Sequence, residues 1–364
     1  MTPMSGVELE SLAALDAWLG SGQSLTGTSV QSVDLRGLAP AVLAAGVNGT
    51  IFLGCDLDPG VEGQLIEAGA LVFPQLPDLP FDPYRGGLYI PEELYTGLEA
   101  GYEHTLDFTV YRWWQGVGNH PSLRADLAMT LHDHAVLDAL GDLDLRGAIG
   151  VMGGHRFERD HPIYRETALL GRDLAAAGHT VLTGGGPGLM EAAALGAALV
   201  GTAHDLADAL DALAAHPSFV PDVTGWAGAG FEVRRRSQLS GPSLGIPTWL
   251  YGHEPPNVFS RQVAKFFSNA LREDALLRLA DAGVIYLPGA AGTVQEIFQA
   301  VTPRYYASGD DVPPLVFVDS HHWTHVLPAW PLVSALAEGR PLARRIHLCD
   351  TVAEAALFLA DAAA

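Results

Sequence analysis

The sequence predicts an α/β protein: a doubly wound, mostly parallel sheet preceded by a smaller N-terminal α/β domain. Short apolar runs alternate with helical patterns at a length suited to parallel crossovers. Two of these runs end directly in glycine-rich turns that open helices. The stretch Asp142–Arg146 separates this half from the first, so the expected domains are residues 1–142 and 143–364.

Composition sets the outer limits. The chain has 364 residues, 48% of them apolar, enough for two ordinary cores. Twenty basic against forty-two acidic residues give a net charge of −22, which argues against nonspecific binding to nucleic acid or an anionic membrane. An anionic ligand must therefore be held by local donors. Two distant cysteines, Cys55 and Cys349, suggest neither a disulfide framework nor a zinc site. With no targeting pattern and no apolar run of membrane-spanning length, a cytoplasmic location is expected. Lys265 is the only lysine.

In the first half, Leu9, Leu12, Leu15 and Leu19 stand at helical spacing. Strand-like runs at Val30–Leu35, Thr50–Leu53 and Ala70–Phe73 then alternate with helical ones at Leu38–Ala45 and Val61–Ala68. Residues 74–104, rich in proline, read as a long ordered loop or lid. Tyr111, Trp113 and Trp114 could stack a base, but packing is the expected role of such a cluster. A helix is expected from Ser122, its N-cap, to Leu140. On it His132, Asp133, His134 and Asp138 lack further converging ligands and are read as solvent-facing, not as a metal site.

The second half opens with the buried strand Gly147–Met152, followed by Gly153-Gly154-His155. A helix over Pro162–Ala177, a terminating Gly178 and a strand His179–Thr183 complete a β-α-β unit. Gly184-Gly185-Gly186-Pro187-Gly188 then runs into the alanine-rich helix Ala192–Leu199. Residues 201–240 are a helical insertion, a third strand is expected at Ile246–Tyr251, and a helix at Val258–Ala280. That helix would align Arg261, Lys265, Ser268 and Arg272 in a basic stripe. Val284–Leu287 reads as a buried strand, Pro314–Asp319 as a further one followed by a loop at His321-His322, and the chain closes on a helix from Thr351.

Between Leu287 and the following helix lies the stretch with the most chemistry, Pro288-Gly289-Ala290-Ala291-Gly292-Thr293-Val294-Gln295-Glu296. A tight turn at a helix N-terminus offers free backbone N–H groups and the positive end of the dipole, and Thr293 adds a hydroxyl. This is a phosphate site by composition, with the Glu296 carboxylate about one helical turn further on.

These residues resemble the Lonely Guy (LOG) family of Rossmann-like phosphoribohydrolases, closest to the bacterial nucleotide 5′-monophosphate nucleosidases. The family signature Pro-Gly-Gly-x-Gly-Thr-x-x-Glu is met at Pro288–Glu296, and a second, Gly-Gly-Gly-x-Gly-Leu-Met, at Gly184–Met190. Gly153-Gly154-His155 and Glu254-Pro255-Pro256-Asn257 are similar to segments of the nucleosidase branch, and the family arginine falls on Arg272. The resemblance covers residues 146–320. Ala290 stands in place of a glycine, Gln295 in place of a glutamate, and Glu273 where a lysine often follows the arginine.

The resemblance implies hydrolysis of the N-glycosidic bond of a nucleoside 5′-monophosphate to free base and ribose 5-phosphate, without a cofactor or metal, in a homo-oligomer. Glu296 and Arg272 are the catalytic candidates. Gly153, Gly154, Gly184, Gly185, Gly186, Gly188, Pro288, Gly289, Ala290, Gly292 and Thr293 are the substrate- and phosphate-binding candidates. Glu254 is a weak candidate for the acid that protonates the leaving base. Residues 1–142 are expected to be regulatory or of unassigned role. A noncatalytic nucleotide-binding or molybdenum-cofactor carrier protein of the same superfamily is the alternative. Pyridoxal-dependent lysine decarboxylation has only Lys265 to serve it. A dehydrogenase is disfavoured because the first turn is Gly-Gly-His and no acidic residue ends the second strand.

Overall fold

The computed structural model describes residues 6–118, 120–199, 203–237, 239–250, 254–308 and 312–362. Its first elements are β1 (Glu8–Leu9), α1 (Leu12–Gly20), β2 (Ser29–Gln31), α2 (Ala39–Ala44), β3 (Ile51–Leu53), α3 (Val61–Glu67) and β4 (Leu71–Phe73). The helices α4 (Pro91–Leu94), α5 (Leu106–Val117) and α6 (Leu123–Gly141) follow. Then come β5 (Ile149–Met152), α7 (Pro162–Ala176), β6 (Val181–Thr183), α8 (Leu189–Ala198), α9 (Ala203–Leu213), α10 (Val223–Arg236), β7 (Ser243–Gly245) and β8 (Gln262–Val263). The last are α11 (Asn269–Leu279), β9 (Gly283–Tyr286), α12 (Ala291–Tyr306), β10 (Leu315–Val318), α13 (Ala329–Ala337), β11 (Ile346–Cys349) and α14 (Val352–Ala362).

These elements form two units. One runs to Leu88 and resumes over Gly116–Leu140; the other holds Tyr89–Gln115 and the chain from Gly141 onward. The division is thus not a single cut at residue 142. Tyr89 exchanges backbone hydrogen bonds with Val263 at 3.0 and 2.8 Å, and the Tyr95 hydroxyl donates to the Pro256 carbonyl at 2.6 Å. These bonds tie the later part of the segment expected to be a loop or lid, from Tyr89 onward, into the second unit, while residues 74–88 belong to the first.

The first unit carries a parallel sheet in the order β1-β2-β3-β4. Leu15, Val30, Phe52 and Leu65 pack its core. Ser11 caps α1, its hydroxyl accepting from the Ala14 N–H, and Ser122 does the same for the Ala125 N–H at the start of α6. On α6, His134 and Asp138 face solvent as expected, but His132 and Asp133 are buried. His132 Nδ1 lies 3.2 Å from Asp133 Oδ1, and its ring meets Phe81 edge-on. The mixed helical face hid an internal polar pair. Among the described residues no group of three or more potential ligands could hold a metal ion.

The second unit is a seven-stranded parallel sheet in the order β11-β10-β9-β5-β6-β7-β8, with helices packed against it. The chain lays strands outward from β5 through β6, β7 and β8, then returns to the other side of β5 with β9. The boundary between β5 and β9 is therefore a topological switch point, where the loops beyond the strand ends diverge and open a crevice. Ile149, Val151, Val181, Ile285 and Val316 are buried beneath Leu170, Leu174 and Leu189.

Two expectations fail at one edge of this sheet. The third strand is Ser243–Gly245, not Ile246–Tyr251, since Pro247 cannot donate to a ladder. Tyr251 itself lies outside the described residues. The helix expected from Val258 begins only at Asn269, where the Ser268 hydroxyl accepts from Leu271 N–H at 3.4 Å. Residues 255–260 and 263–267 are buried almost without a break. Between them lies β8, which pairs with β7 on one side while Val263 bonds Tyr89 on the other. A run buried on every side imitates a helical stripe in sequence but has none in space.

The basic stripe consequently does not form. Arg261 is exposed, whereas Lys265 is buried and ion-paired with Asp107. Asp107 also accepts from the Trp249 indole at 3.1 Å and the Tyr102 hydroxyl at 2.7 Å. Trp113 packs edge-on against Phe267, which accounts for it by packing. Two elements had no clear sequence signal, β11 and α13, and His322–Val326 form a π-helical turn where a loop was expected.

Replacing Lys265 by Met strands the Asp107 carboxylate in the interior and is expected to cost about 3–5 kcal/mol in urea unfolding. The crossing of α7 and α8 supplies a second test. A methyl added at Gly196 would lie 1.7 Å from the Ala168 carbonyl oxygen, so Gly196→Ala should lower stability by about 1–3 kcal/mol.

Candidate active site

The carboxyl ends of β5, β6 and β9 release the chain into three turns: Gly153-Gly154, Gly184–Gly188 and Pro288–Ala290. They are laced together. Gly154 N–H donates to the Pro288 carbonyl at 3.0 Å, and Leu189 N–H to the Gly154 carbonyl at 3.3 Å. Gly188 adopts φ +71°, and a Cβ there would sit 2.6 Å from the Gly154 oxygen. Only glycine allows two of the turns to touch in this way. Asn257, fully buried, holds the middle turn by donating its backbone N–H to the Gly185 carbonyl at 2.8 Å and its amide to the Gly186 carbonyl at 3.3 Å.

Between the turns lies a cleft of about 310 Å³. Ten of the sequence-predicted residues line it: Gly153, Gly154, Gly184, Gly186, Arg272, Gly289, Ala290, Gly292, Thr293 and Glu296. Gly185, Gly188 and Pro288 do not; their backbone groups hold the turns from behind. No residue of the 74–104 segment is among the lining. Met190, Thr248 and Arg156 line the cleft without having been singled out from the sequence. Met190 could have been read from the Gly-Leu-Met pattern, whereas Thr248 and Arg156 carried no signal.

Helix α12 starts at the cleft with Ala290 as its N-cap and no side-chain capping bond. Its first N–H groups are accordingly left for solvent or a ligand. Ala290 has φ −129°, an ordinary value for an alanine, so the missing glycine costs no strain. At Gly289, by contrast, a Cβ would fall 2.1 Å from the Thr293 hydroxyl oxygen. That glycine is required.

Glu296, on the second turn of α12, is buried and accepts a hydrogen bond from Arg272 Nη1 at 2.7 Å. Burial pushes its carboxyl above the usual range, opposed by the Arg272 guanidinium. Arg272 comes from the first turn of α11, and its Nε is buried without a partner among the described residues. The neighbouring Glu273 is buried too. Its Oε1 accepts from the Asn269 amide at 2.7 Å and its Oε2 from the Gln295 amide at 2.7 Å. The two departures from the family pattern, Glu273 and Gln295, thus touch each other. On another part of the lining, His155 Nδ1 lies 3.0 Å from Glu254 Oε1.

Lys265 is not among the lining residues, and its ammonium is engaged by Asp107, so it does not fit the role of a Schiff-base lysine for this cleft.

This crevice at a switch point, with a carboxylate–guanidinium pair at an uncapped helix N-terminus, defines a nucleotide-binding α/β protein. The family model described as "Possible lysine decarboxylase" matches residues 231–357, and that described as "SLOG cluster4 family" matches residues 146–204. Over these two stretches the chain carries domains diagnostic of the LOG/SLOG family, whose members include phosphoribohydrolases acting on nucleoside monophosphates. The match supports N-glycosidic hydrolysis and an enzymatic role. No curated protein matches by sequence. Among solved structures, the molybdenum cofactor binding protein from Rippkaea orientalis is similar at 16% identity over 61% of this chain and 100% of that one, with a TM-score of 0.37. The molybdenum cofactor carrier protein from Chlamydomonas reinhardtii is similar at 16% identity over 59% and 96%, with a TM-score of 0.34.

Gln295→Glu alone would set a second carboxylate against Glu273 and should destabilise the protein. Combining it with Glu273→Lys rebuilds an oppositely charged pair. A double-mutant cycle by urea unfolding is expected to return a favourable coupling of about 0.5–3 kcal/mol.

Proposed function

We propose that the protein hydrolyses nucleoside 5′-monophosphates to the free base and ribose 5-phosphate in this cleft, using Glu296 and Arg272. The observation that carries the reading is the buried Arg272–Glu296 pair, 2.7 Å apart, beside the uncapped start of α12. The 5′-phosphate is gripped by the N–H groups of residues 291–293 and the Thr293 hydroxyl, which fixes the sugar. Departure of the base leaves an oxocarbenium-like sugar, whose positive charge the ionised Glu296 stabilises while accepting a proton from the attacking water. Arg272 keeps Glu296 ionised and oriented despite its burial. The Gly153-Gly154 and Gly184–Gly188 turns line the ribose and base.

Family resemblance supports a homo-oligomer, and the net charge of −22 supports the exclusion of nucleic acid as a partner. Among the described residues no helix is long and apolar enough to cross a membrane. A cytoplasmic location remains part of the proposal, supported by the two distant cysteines, which suggest no disulfide framework. Residues 1–142 are proposed to be regulatory or of unassigned role.

The test is a panel of nucleoside 5′-monophosphates and the matching nucleosides, assayed for ribose 5-phosphate or ribose. Release from the monophosphates alone supports the proposal, and turnover of nucleosides lacking phosphate contradicts the phosphate grip. Nucleotide or molybdenum-cofactor binding with no ribose 5-phosphate from any nucleotide makes the protein a carrier. Glu296→Gln should reduce kcat roughly 10²–10⁴-fold while leaving nucleotide binding intact.

The pH profile gives a further check. Glu296 must be ionised, so kcat/KM rises with pH as its proton leaves, and this acid limb lies above the ordinary glutamate range because burial raises the group. Arg272 opposes that rise, so Arg272→Gln should move the limb to still higher pH.

A further inference from the structure

Cleavage of an N-glycosidic bond expels the base with the bonding electron pair, and without a proton it departs as a poor, anionic leaving group. Glu296 cannot supply this proton while it accepts one from water. Among the described residues, the titratable and charged side chains lining the cleft are His155, Arg156, Glu254, Arg272, Glu273 and Glu296. The arginines do not give up protons at working pH. Both oxygens of Glu273 are already engaged, accepting amide hydrogen bonds from Asn269 and Gln295.

We propose that His155, oriented by Glu254, is the acid that protonates the leaving base; this rests on the nucleosidase reading of the same cleft. His155 follows Gly153-Gly154 at the end of β5 and is about half exposed, with a side-chain exposure of 49%. Its Nδ1 is engaged by Glu254 Oε1 at 3.0 Å, and Nε2 has no protein partner among the described residues. Glu254 reaches over the middle glycine turn, its Oε2 3.3 Å from where a Cβ on Gly186 would lie. A histidine fixed through one ring nitrogen by a carboxylate, with the other available to substrate, is the arrangement that serves proton transfer.

The hydrogen bond to Glu254 raises His155 above the ordinary histidine value, against partial burial and the nearby Arg156. Glu254 and Arg156 are the charged groups around it. The protonated ring therefore persists to higher pH than that of a free histidine.

The step balances as follows. The C1′–N bond breaks with its electron pair passing to the base, and the base takes the proton from His155 Nε2. Water forms the new C1′–O bond and loses a proton to Glu296. His155 ends neutral, Glu296 ends protonated, and a proton returned through solvent restores both.

A leaving group that needs no protonation separates this role from a structural one. Wild type, His155→Gln, Glu254→Gln and Glu296→Gln are compared on a nucleoside 5′-monophosphate and on para-nitrophenyl β-D-ribofuranoside 5-phosphate across pH. His155→Gln should lose roughly 10²–10⁴-fold in kcat on the nucleotide, together with the alkaline limb of its profile, yet keep most of its activity on the nitrophenyl substrate. Glu254→Gln retains a polar partner but removes the charge, so it should move the alkaline limb to lower pH. Glu296→Gln should lose both substrates. The proposal is overturned if His155→Gln impairs both substrates by one factor or neither, or if Glu254→Gln leaves the limb in place. A wild type inactive on both substrates overturns the nucleosidase reading itself, and this assignment with it.

Discussion

A carboxylate removed from water must be paired, and the Glu296–Arg272 bond is where this protein meets that constraint. The partner arrives on a different helix: Arg272 on α11, which leads into β9, and Glu296 on α12, which leaves it. Their 2.7 Å contact therefore fixes the two helices around the carboxyl end of β9. Breaking such a pair by removing one partner typically costs more than its net contribution to stability, because a bare charge remains inside. The site and the packing of this corner of the sheet are thus one structure. Burial raises Glu296 while Arg272 restrains the rise, leaving a carboxylate that is both ionisable and little hydrated, as a developing cationic sugar requires.

The neighbouring Glu273 shows how a signature can change without losing its scaffold. In sequence, Glu273 and Gln295 are two separate departures, one adding a negative charge and the other removing one. In space they are a single contact, the Gln295 amide donating to the Glu273 carboxylate while Asn269 satisfies its second oxygen. A glutamate at position 295 would repel Glu273, so each change makes the other tolerable. Glu273 Oε1 lies 4.0 Å from the same Arg272 Nη1 that bonds Glu296 at 2.7 Å, so the changed pair sits beside that bond without replacing it, and Ala290 with its ordinary φ leaves the turn unstrained.

Much of the second unit was legible because its signals are local. A buried strand ending in Gly-Gly or Pro-Gly and followed by a helix needs no long-range information, and β5, β6 and β9 with their turns stand where the sequence put them. The edge of the sheet was illegible for the opposite reason. Phe259, Val263, Phe266 and Phe267 are spaced like one helical face, yet they are buried because β7, Tyr89 and Trp249 surround that segment. Nothing within the segment announces those neighbours. Lys265 went with it: read as part of a basic stripe, it is an internal cation whose partner, Asp107, lies 158 positions away. His132 and Asp133 failed likewise, since a polar residue paired inside looks the same in sequence as one facing water.

Electrostatics bring these strands of evidence back to the cleft. A protein of charge −22 repels an anion at long range, and the lining adds Glu254, Glu273 and Glu296 to that field. The arginines beside them, Arg156 and Arg272, do not outnumber the carboxylates. Recognition of a phosphate here must therefore rest on dipoles and short hydrogen bonds more than on net charge, and these act only within contact distance. The uncapped start of α12, with Gly289 kept free of a side chain so that Thr293 can pack beneath it, is such a feature. It makes the site dependent on geometry: a phosphate displaced by a few ångströms gains little and still meets the repulsion. On the proposed reading, the selectivity for phosphate and the placement of the sugar against Glu296 would have the same source, the backbone of one turn.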